Sequence, residues 1–507
     1  MCGLGRCSLA MDGDLTAGPR LATPLVLHGV CGVRRGVSGR LRREPPLEPQ
    51  PFDLVVIGSG PAGQKGAIAA AKLGKSVAMI DRKEMVGGVC LHTGTIPSKT
   101  LREAILYLSG FQQRSFYGRD YSLKDSISVS DLAFRVQTVM AREMEVIRAQ
   151  LKRNGVATFD GTARFSDPHT IEIVSAEGES ALRGEYVLIA CGTRPAHSQT
   201  IPLDGKRIID SDQLTGVERL PRDLIVVGAG VIGLEYASML TALNIKVTVV
   251  EQRPILLDFA DREMIDALLY FMRERGATFR LGEKVVSVAY DEKGRVVAGL
   301  ESGKEVRGDA LLYTVGRQTN ADLLNLAAAG LEADERGRIA VDKGYRTAVR
   351  HIFAAGDVIG FPALASTSME QGRLATCGMF GVACRSFPEF LPYGIYTIPE
   401  ISMVGANEQE LTQRRVPYEV GRARYAELAK GQMVGAEVGQ LKILFHRKTL
   451  EVLGIHAIGD GATEIIHIGQ AVLSFGGTIE YFRDTVFNYP TFAEAYKVAG
   501  LDGLNKL

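Results

Sequence analysis

The sequence predicts an α/β fold in which parallel strands alternate with helices, and two observations carry that reading. The first is size and composition. A chain of 507 residues is more than one hydrophobic core serves, and typical domain sizes divide it into roughly three. Apolar residues make up 46% and charged residues 23%, an ordinary globular mixture that excludes wholesale disorder. The second observation is a repeat. A strand, a glycine-rich turn, a helix and a second strand ending in an acid occupy residues 53–81 and again 223–251. The formal net charge of +1 gives no electrostatic case for binding nucleic acid or an acidic membrane. Seven cysteines with no Cys-x-x-Cys pair exclude a zinc ribbon and argue against a disulfide-stapled secreted scaffold. No uncharged apolar stretch reaches the roughly 18 residues of a membrane span; the longest, Leu224 to Val250, carries Glu235 and Lys246. A cytoplasmic protein is expected.

Residues 1–50 stand apart from the rest. They hold seven arginines, no lysine, four acids and five prolines, and no periodicity long enough to fold. Asp12, Asp14, Glu44 and Glu48 argue against a transit peptide, and Pro24 and His28 interrupt the one apolar run a secretory signal would need. The arginine content keeps an organelle transit peptide open, and the two favoured readings are a disordered extension or a start assigned too far upstream.

The first repeat begins with Asp53-Leu-Val-Val-Ile-Gly58, a short apolar run that reads as a buried parallel strand. Gly58, Gly60 and Gly63 follow at G-x-G-x-x-G spacing, then an alanine-rich helix to Leu73, then the strand Ser76 to Asp81. The second repeat runs Asp223 to Gly228, with Gly230 and Gly233, a helix to Leu243, and the strand Lys246 to Glu251. In both copies the acid lies 18 residues after the third glycine (81 − 63 and 251 − 233). A lone G-x-G-x-x-G is weak evidence; its placement between strand and helix, twice, is what gives it weight. The first glycine allows the tight turn, the second lets backbone approach a pyrophosphate, and the third lets helix pack on strand. The helix N-terminus then faces the phosphates and the acid accepts from ribose hydroxyls. Two Rossmann-like dinucleotide sites are therefore expected.

Further on stand Gly87-Gly88-Val-Cys90-Leu-His-Thr-Gly-Thr95-Ile-Pro-Ser-Lys99 and Ile352-Phe-Ala-Ala-Gly356-Asp357. With Gly192-Thr193-Arg194-Pro195 and Gly316-Arg317, these runs resemble the flavoprotein disulfide reductases, the family of lipoamide dehydrogenase and glutathione reductase. The resemblance covers essentially everything from Asp53 to Leu507. It implies FAD on the first repeat, held by Gly58, Gly60, Gly63, Asp81, Arg82, Gly87, Gly88, Cys90 and Lys99, with Gly356 and Asp357 reaching its ribityl chain. It implies NAD(P) on the second repeat, at Gly228, Gly230, Gly233, Glu251 and Arg253. The expected parts are an FAD domain at 51–190 and 316–390, an NAD(P) domain at 191–315, and an α+β dimerisation domain at 391–507. A homodimer or higher homo-oligomer follows.

Two departures from that family matter most. A disulfide reductase needs Cys-x-x-x-x-Cys, and here Cys90 is followed five positions later by Thr95, which has no thiol chemistry. The family also places a histidine as acid/base before proline near the C-terminus, and here Tyr489-Pro490 leads to Glu494. A phenol titrating near 10 is no base at neutral pH. The disulfide chemistry is absent while both nucleotide sites remain. Gly-Thr-Ile-Pro-Ser-Lys, Phe-Asn-Tyr-Pro-Thr, Gly394 to Ile401 and Ile465 to Gln470 look like the soluble pyridine nucleotide transhydrogenase branch. That likeness implies NADPH + NAD⁺ giving NADP⁺ + NADH through FAD, with Lys99 and Glu235 as an ion pair beside the flavin. An NAD(P)H:quinone or dye reductase and a flavin-bound redox sensor are the alternatives. Cys90 reads as packing beside the flavin. His456 and His467 lack a third ligand and read as core or interface residues, so no metal is expected. The helix from Asp131 to Asn154 reads as packing, its apolar face running from Leu132 to Leu151. Glu251 and Arg253 offer a 2′-hydroxyl and a 2′-phosphate one partner each.

Overall fold

The computed structural model describes residues 48–82, 85–118, 120–384, 386–436 and 438–507, so the reading of residues 1–47 lies outside the described residues. The first strand begins at Gln50, which places that residue in the fold rather than in the extension.

The first sheet contains β1 (Gln50–Ile57), β2 (Val77–Asp81), β3 (Ala157–Asp160), β4 (Thr162–Phe165), β5 (Thr170–Ser175) and β6 (Gly178–Ile189), in the order β3-β2-β1-β6-β5-β4. Pairs among β3, β2, β1 and β6 are parallel, while β6-β5 and β5-β4 are antiparallel. β6 serves two neighbours on one edge: Gly178–Arg183 pair with β5, and Val187–Ile189 with the distant segment Ile352–Ala354. The last four residues of β1 are fully buried, as expected where helices cover both faces of a sheet. Helix α1 (Pro61–Lys72) starts on a proline, pre-set for a first turn. The Gly-Thr-Ile-Pro-Ser-Lys run caps and opens helix α2 (Thr95–Leu108), and α3 (Val129–Arg153) opens with a Ser128/Asp131 capping box. The apolar seam of α3 is buried at Leu132, Val136 and Leu151 but only half-buried at Val139, Met140, Met144 and Ile147.

The chain then builds a second parallel sheet from β7 (Ile208–Asp210), β8 (Asp223–Val227), β9 (Lys246–Glu251), β10 (Thr278–Leu281) and a strand at Ala310–Tyr313, ordered β10-β9-β8-(310–313)-β7. Helix α4 (Val231–Ala242) crosses from β8 to β9, and α5 (Arg262–Glu274) from β9 to β10. Strands β11 (Val285–Tyr290), β12 (Val296–Leu300) and β13 (Glu305–Gly308) form a separate antiparallel sheet before β14, the strand at Ala310–Tyr313. Nearly every residue of α4 is buried, because it packs on its own sheet and also against α2. The chain returns to the first sheet at β15 (Ile352–Ala354), and α6 (Ala365–Met379) lies against α1.

The last part is an antiparallel sheet ordered β16-β17-β20-β19-β18: β16 (Tyr393–Ile395), β17 (Ile401–Gly405), β18 (Tyr418–Arg424), β19 (Gln440–His446) and β20 (Val452–Ile458). Helices α7 (Ala462–Ser474) and α8 (Glu494–Leu504) cover it. No helix among the described residues is long and apolar enough to cross a membrane.

The part built on the second parallel sheet and the C-terminal sheet are joined by a buried charge cluster. Lys442 on β19 is wholly buried and donates to both oxygens of the equally buried Asp261, at 3.0 and 2.9 Å, and to Glu408. Glu263 lies 3.0 Å from the same ammonium and also takes Arg422. Asp261 caps α5 by accepting from the Glu263 N–H. Burial alone would pull the Lys442 pKa down, but Asp261, Glu408 and Glu263 reverse that and hold it above the usual lysine value. Lys442→Met should remove the buried ammonium that three converging carboxylates share, leave Asp261 without a cation and destabilise the fold by about 3–5 kcal/mol. A fall in thermal midpoint, with the double variant Lys442→Met/Asp261→Leu recovering part of it, is the expected measurement.

Candidate functional site

One cavity of about 750 Å³ runs between the two sheets and is lined by both glycine turns. Gly58 has φ +104°, and Gly63 lies so close to Gly58 that a side chain there would strike the Gly58 carbonyl. Gly60, in contrast, faces open space, and the first turn of α1 has neither a side-chain cap nor an acidic residue. That leaves the helix's positive end free for an anion. Gly87 and Gly88 close the same cradle: a Cβ on Gly88 would lie 2.9 Å from the Gly60 Cα. The second turn repeats this, with Gly228 at φ +96°, Gly230 open and α4 uncapped.

The terminal acids make the same contact in both copies. Asp81 accepts from the Ser59 backbone N–H at 2.7 Å, and Glu251 from the Ala229 N–H at 2.7 Å. Asp81 also accepts from the Ser59 hydroxyl at 2.5 Å and from the Arg82 N–H at 2.7 Å. The Ser59 hydroxyl oxygen in turn accepts from the Gly87 N–H at 3.0 Å, joining the two glycine runs. Each acid therefore fixes its glycine turn. Glu251 and Arg253, expected to act separately, are bonded to each other: the Arg253 N–H and Nε each donate to Oε1 at 3.0 Å. Burial raises the Glu251 pKa, but Arg253 and the backbone donors outweigh it and hold the carboxyl below its ordinary value.

Gly356 and Asp357 lie at the end of β15 on the cavity wall. The Gly356 N–H donates to Gln371 Oε1 at 2.8 Å, and Asp357 accepts from the Thr193 hydroxyl at 3.1 Å. Thr193 also takes Arg317 Nε at 2.8 Å, so the two junction motifs meet here.

Lys99 on α2 and Glu235 on α4 form the ion pair, Nζ to Oε2 at 2.7 Å, with Glu235 buried and Lys99 partly open to the cavity. Sequence reasoning missed the third participant. The Tyr396 N–H donates to the other Glu235 oxygen at 2.9 Å, and the Lys99 ammonium lies 4.9 Å from the centre of the Tyr396 ring. One turn along each helix the same segment is held again. Arg102 Nε donates to the Thr397 carbonyl at 3.1 Å and pairs with Glu400 at 3.4 Å, while the Ile398 N–H donates to Ser238 Oγ at 3.0 Å. The run Gly394 to Ile401 was legible as a family mark, but nothing in it signals which helices it meets.

Cys90 lies beside Thr95 on the cavity wall, and burial, its largest influence, pushes the thiol pKa up. Burial of this kind disfavours the thiolate, the form in which a cysteine acts as a nucleophile. Cys191, also on that wall, is pushed up to about 12 by burial. Tyr489 is 72% exposed and does not line this chain's cavity. His456 is core, its Nε2 3.0 Å from the Ala406 carbonyl, whereas His467 is exposed on the cavity rim, bonded to Gln470. Of the core and interface positions expected for these two histidines, His456 takes the core one, and the side of α7 that carries His467 faces the opening. Tyr396→Phe should keep the ring under Lys99 and leave turnover nearly unchanged. Tyr396→Leu should remove a contact worth about 0.5–1 kcal/mol and slow hydride transfer roughly two- to fivefold, read by stopped-flow absorbance.

Comparison with known proteins is consistent with this geometry. Residues 52–372 match the family model described as pyridine nucleotide-disulphide oxidoreductase, and residues 391–499 match the dimerisation domain of the same family. The chain is 54% identical over 458 residues to a soluble pyridine nucleotide transhydrogenase of Mycobacterium bovis (strain BCG / Pasteur 1173P2), covering 90% of this chain and 98% of that one. It is 45% identical over 461 residues to the Escherichia coli O9:H4 protein of the same name, again covering 90% and 98%. Among solved structures it is similar to the HOCl-induced flavoprotein disulfide reductase RclA of Escherichia coli, at TM-score 0.80 and 27% identity over 89% of this chain and 99% of that one. It is also similar to LpdA of Mycobacterium tuberculosis, at TM-score 0.81 and 28% identity with the same coverage. With more than half its length matched by the family model, the chain belongs to the pyridine nucleotide-disulphide oxidoreductase family.

Proposed function

We propose that this chain is an FAD-dependent oxidoreductase that moves hydride between NADPH and NAD⁺ without a redox-active disulfide. One observation carries the reading: both glycine turns line the cavity that holds the Lys99–Glu235 pair, while Cys90 faces Thr95 instead of a second sulfur. The names of the transhydrogenase relatives support it. The first cradle fits FAD, since Gly60 is open where a pyrophosphate would lie, α1 is uncapped, and Gly88 leaves no room for a side chain. Bound there, FAD supplies two-electron exchange with a nicotinamide ring.

The protein's own residues do the rest. Gly58, Gly60, Gly63, Asp81, Arg82, Gly87, Gly88, Gly356 and Asp357 hold the flavin nucleotide. Gly228, Gly230, Gly233, Glu251 and Arg253 hold the pyridine nucleotide, one at a time, so donor leaves before acceptor enters. Lys99, steadied by Glu235 and Tyr396, keeps a positive charge where the two cradles meet. Hydride transfer between nicotinamides consumes no proton, so the absence of a histidine at Tyr489 costs the reaction nothing. Residues 51–190 and 316–390 form the flavin part, 191–315 the pyridine-nucleotide part and 391–507 the dimerisation part of this reading. It also includes a cytoplasmic homodimer.

The test is anaerobic. NADPH should bleach the flavin absorbance with no long-wavelength thiolate charge-transfer band, and NAD⁺ should restore it. Persistent bleaching in NAD⁺ rejects transhydrogenation, and a charge-transfer band rejects the dithiol argument. The Glu251–Arg253 bond yields a further expectation. Arg253→Ala should weaken NADPH binding by about 1–3 kcal/mol and leave NADH nearly unchanged; equal losses for both nucleotides in titration calorimetry would refute the assignment.

A further inference from the structure

A second sulfur centre lies outside the nucleotide cavity. Cys377, in the last turn of α6, is bonded to Cys384, their Cα atoms 6.4 Å apart, and neither lines the cavity. Cys377 is buried, and Cys384 is exposed. Arg373, one turn before Cys377 on the same helix, is held by Glu370 and directs Nη1 at both sulfurs, 3.8 Å from Cys377 Sγ and 3.4 Å from Cys384 Sγ. The neighbouring Thr376 donates its hydroxyl to the Gly66 carbonyl of α1 at 3.0 Å, so the bond fastens the turn that ties α6 to α1.

We propose that Cys377–Cys384 is a thiol–disulfide exchange site for low-molecular-weight thiols, independent of the hydride chemistry. Three observations combine. The exposed sulfur gives an incoming thiolate a target, the guanidinium stabilises the thiolate that leaves, and the seven-residue separation keeps that thiolate close enough to re-form the bond. In the forward step a thiolate RS⁻ attacks Cys384 Sγ, the Cys377–Cys384 bond breaks, and its electron pair leaves on Cys377 Sγ beside Arg373. A second RS⁻ attacks the R sulfur of the mixed disulfide, releasing Cys384 as thiolate. Protons return to both cysteines, and the sum is 2 RSH plus the protein disulfide giving RSSR plus two protein thiols. The thiol is the reductant, and no electron comes from the nucleotides.

The test uses the full holoenzyme purified without reductant, quenched with an alkylating agent and digested with trypsin. The peptide Leu374–Arg385 contains both cysteines, so the bond appears as an unalkylated mass short of two hydrogens. Millimolar glutathione should convert it to the doubly alkylated form while circular dichroism stays native. In Arg373→Gln, whose peptide begins at His351 because a cleavage site is lost, that conversion should slow roughly threefold, the effect of a weaker leaving thiolate. Two alkylated cysteines without reductant, a bond that opens only on unfolding, or an unchanged rate in Arg373→Gln would each overturn the proposal.

Discussion

The Lys99–Glu235 ion pair is the contact on which the site depends, because its partners come from helices of different sheets and its second acceptor oxygen is held by a third part of the chain. A carboxylate as buried as Glu235 is tolerated only when its lone pairs are filled. Lys99 fills one side and the Tyr396 N–H the other. The arrangement is over-determined. Arg102 and Ser238 lie three residues beyond Lys99 and Glu235, on the faces of α2 and α4 that meet the same segment, and both grip the backbone of residues 397–398. The position of the ammonium is thus set by four side chains and a stretch of backbone, without relying on the lysine's own flexible stem.

The two glycine turns show the same economy at a smaller scale. Asp81 and Glu251 were expected to act on ribose, yet in the structure each first ties the loop that opens its own helix, through N–H groups 170 positions apart (229 − 59). A turn built of glycine has little intrinsic preference for one shape. A charge-assisted bond from strand end to turn supplies that preference before any nucleotide arrives.

Much of this was legible in the chain because it is local. The spacing of Gly58, Gly60, Gly63 and Asp81 is dictated by one strand–turn–helix unit, and Lys246–Glu251 falls where that unit places it. The loss of the second sulfur at Thr95 was equally plain. What could not be read depends on contacts between distant segments. Tyr396 looks like any tyrosine in a strand-rich run until α2 and α4 are laid against it. Likewise Glu251 and Arg253 sit two residues apart with nothing in the sequence to say they bond to each other. Cys377 and Cys384 share no recognisable spacing motif, and only the end of α6 brings them together. The seam of α3 matches a packing helix at its ends, while its middle is half-covered in a single chain, a distinction periodicity does not make.

The joint beneath the C-terminal sheet resembles a divalent-cation site in its ligands, since Asp261, Glu263 and Glu408 present oxygens within 4.8 Å of one another. Lys442 occupies that position with a covalently attached charge. A tethered ammonium cannot be extracted by a chelator, diluted by washing or exchanged for a wrong ion. The union of the two halves is consequently indifferent to the metal content of its surroundings, because the cation that neutralises it belongs to the fold itself.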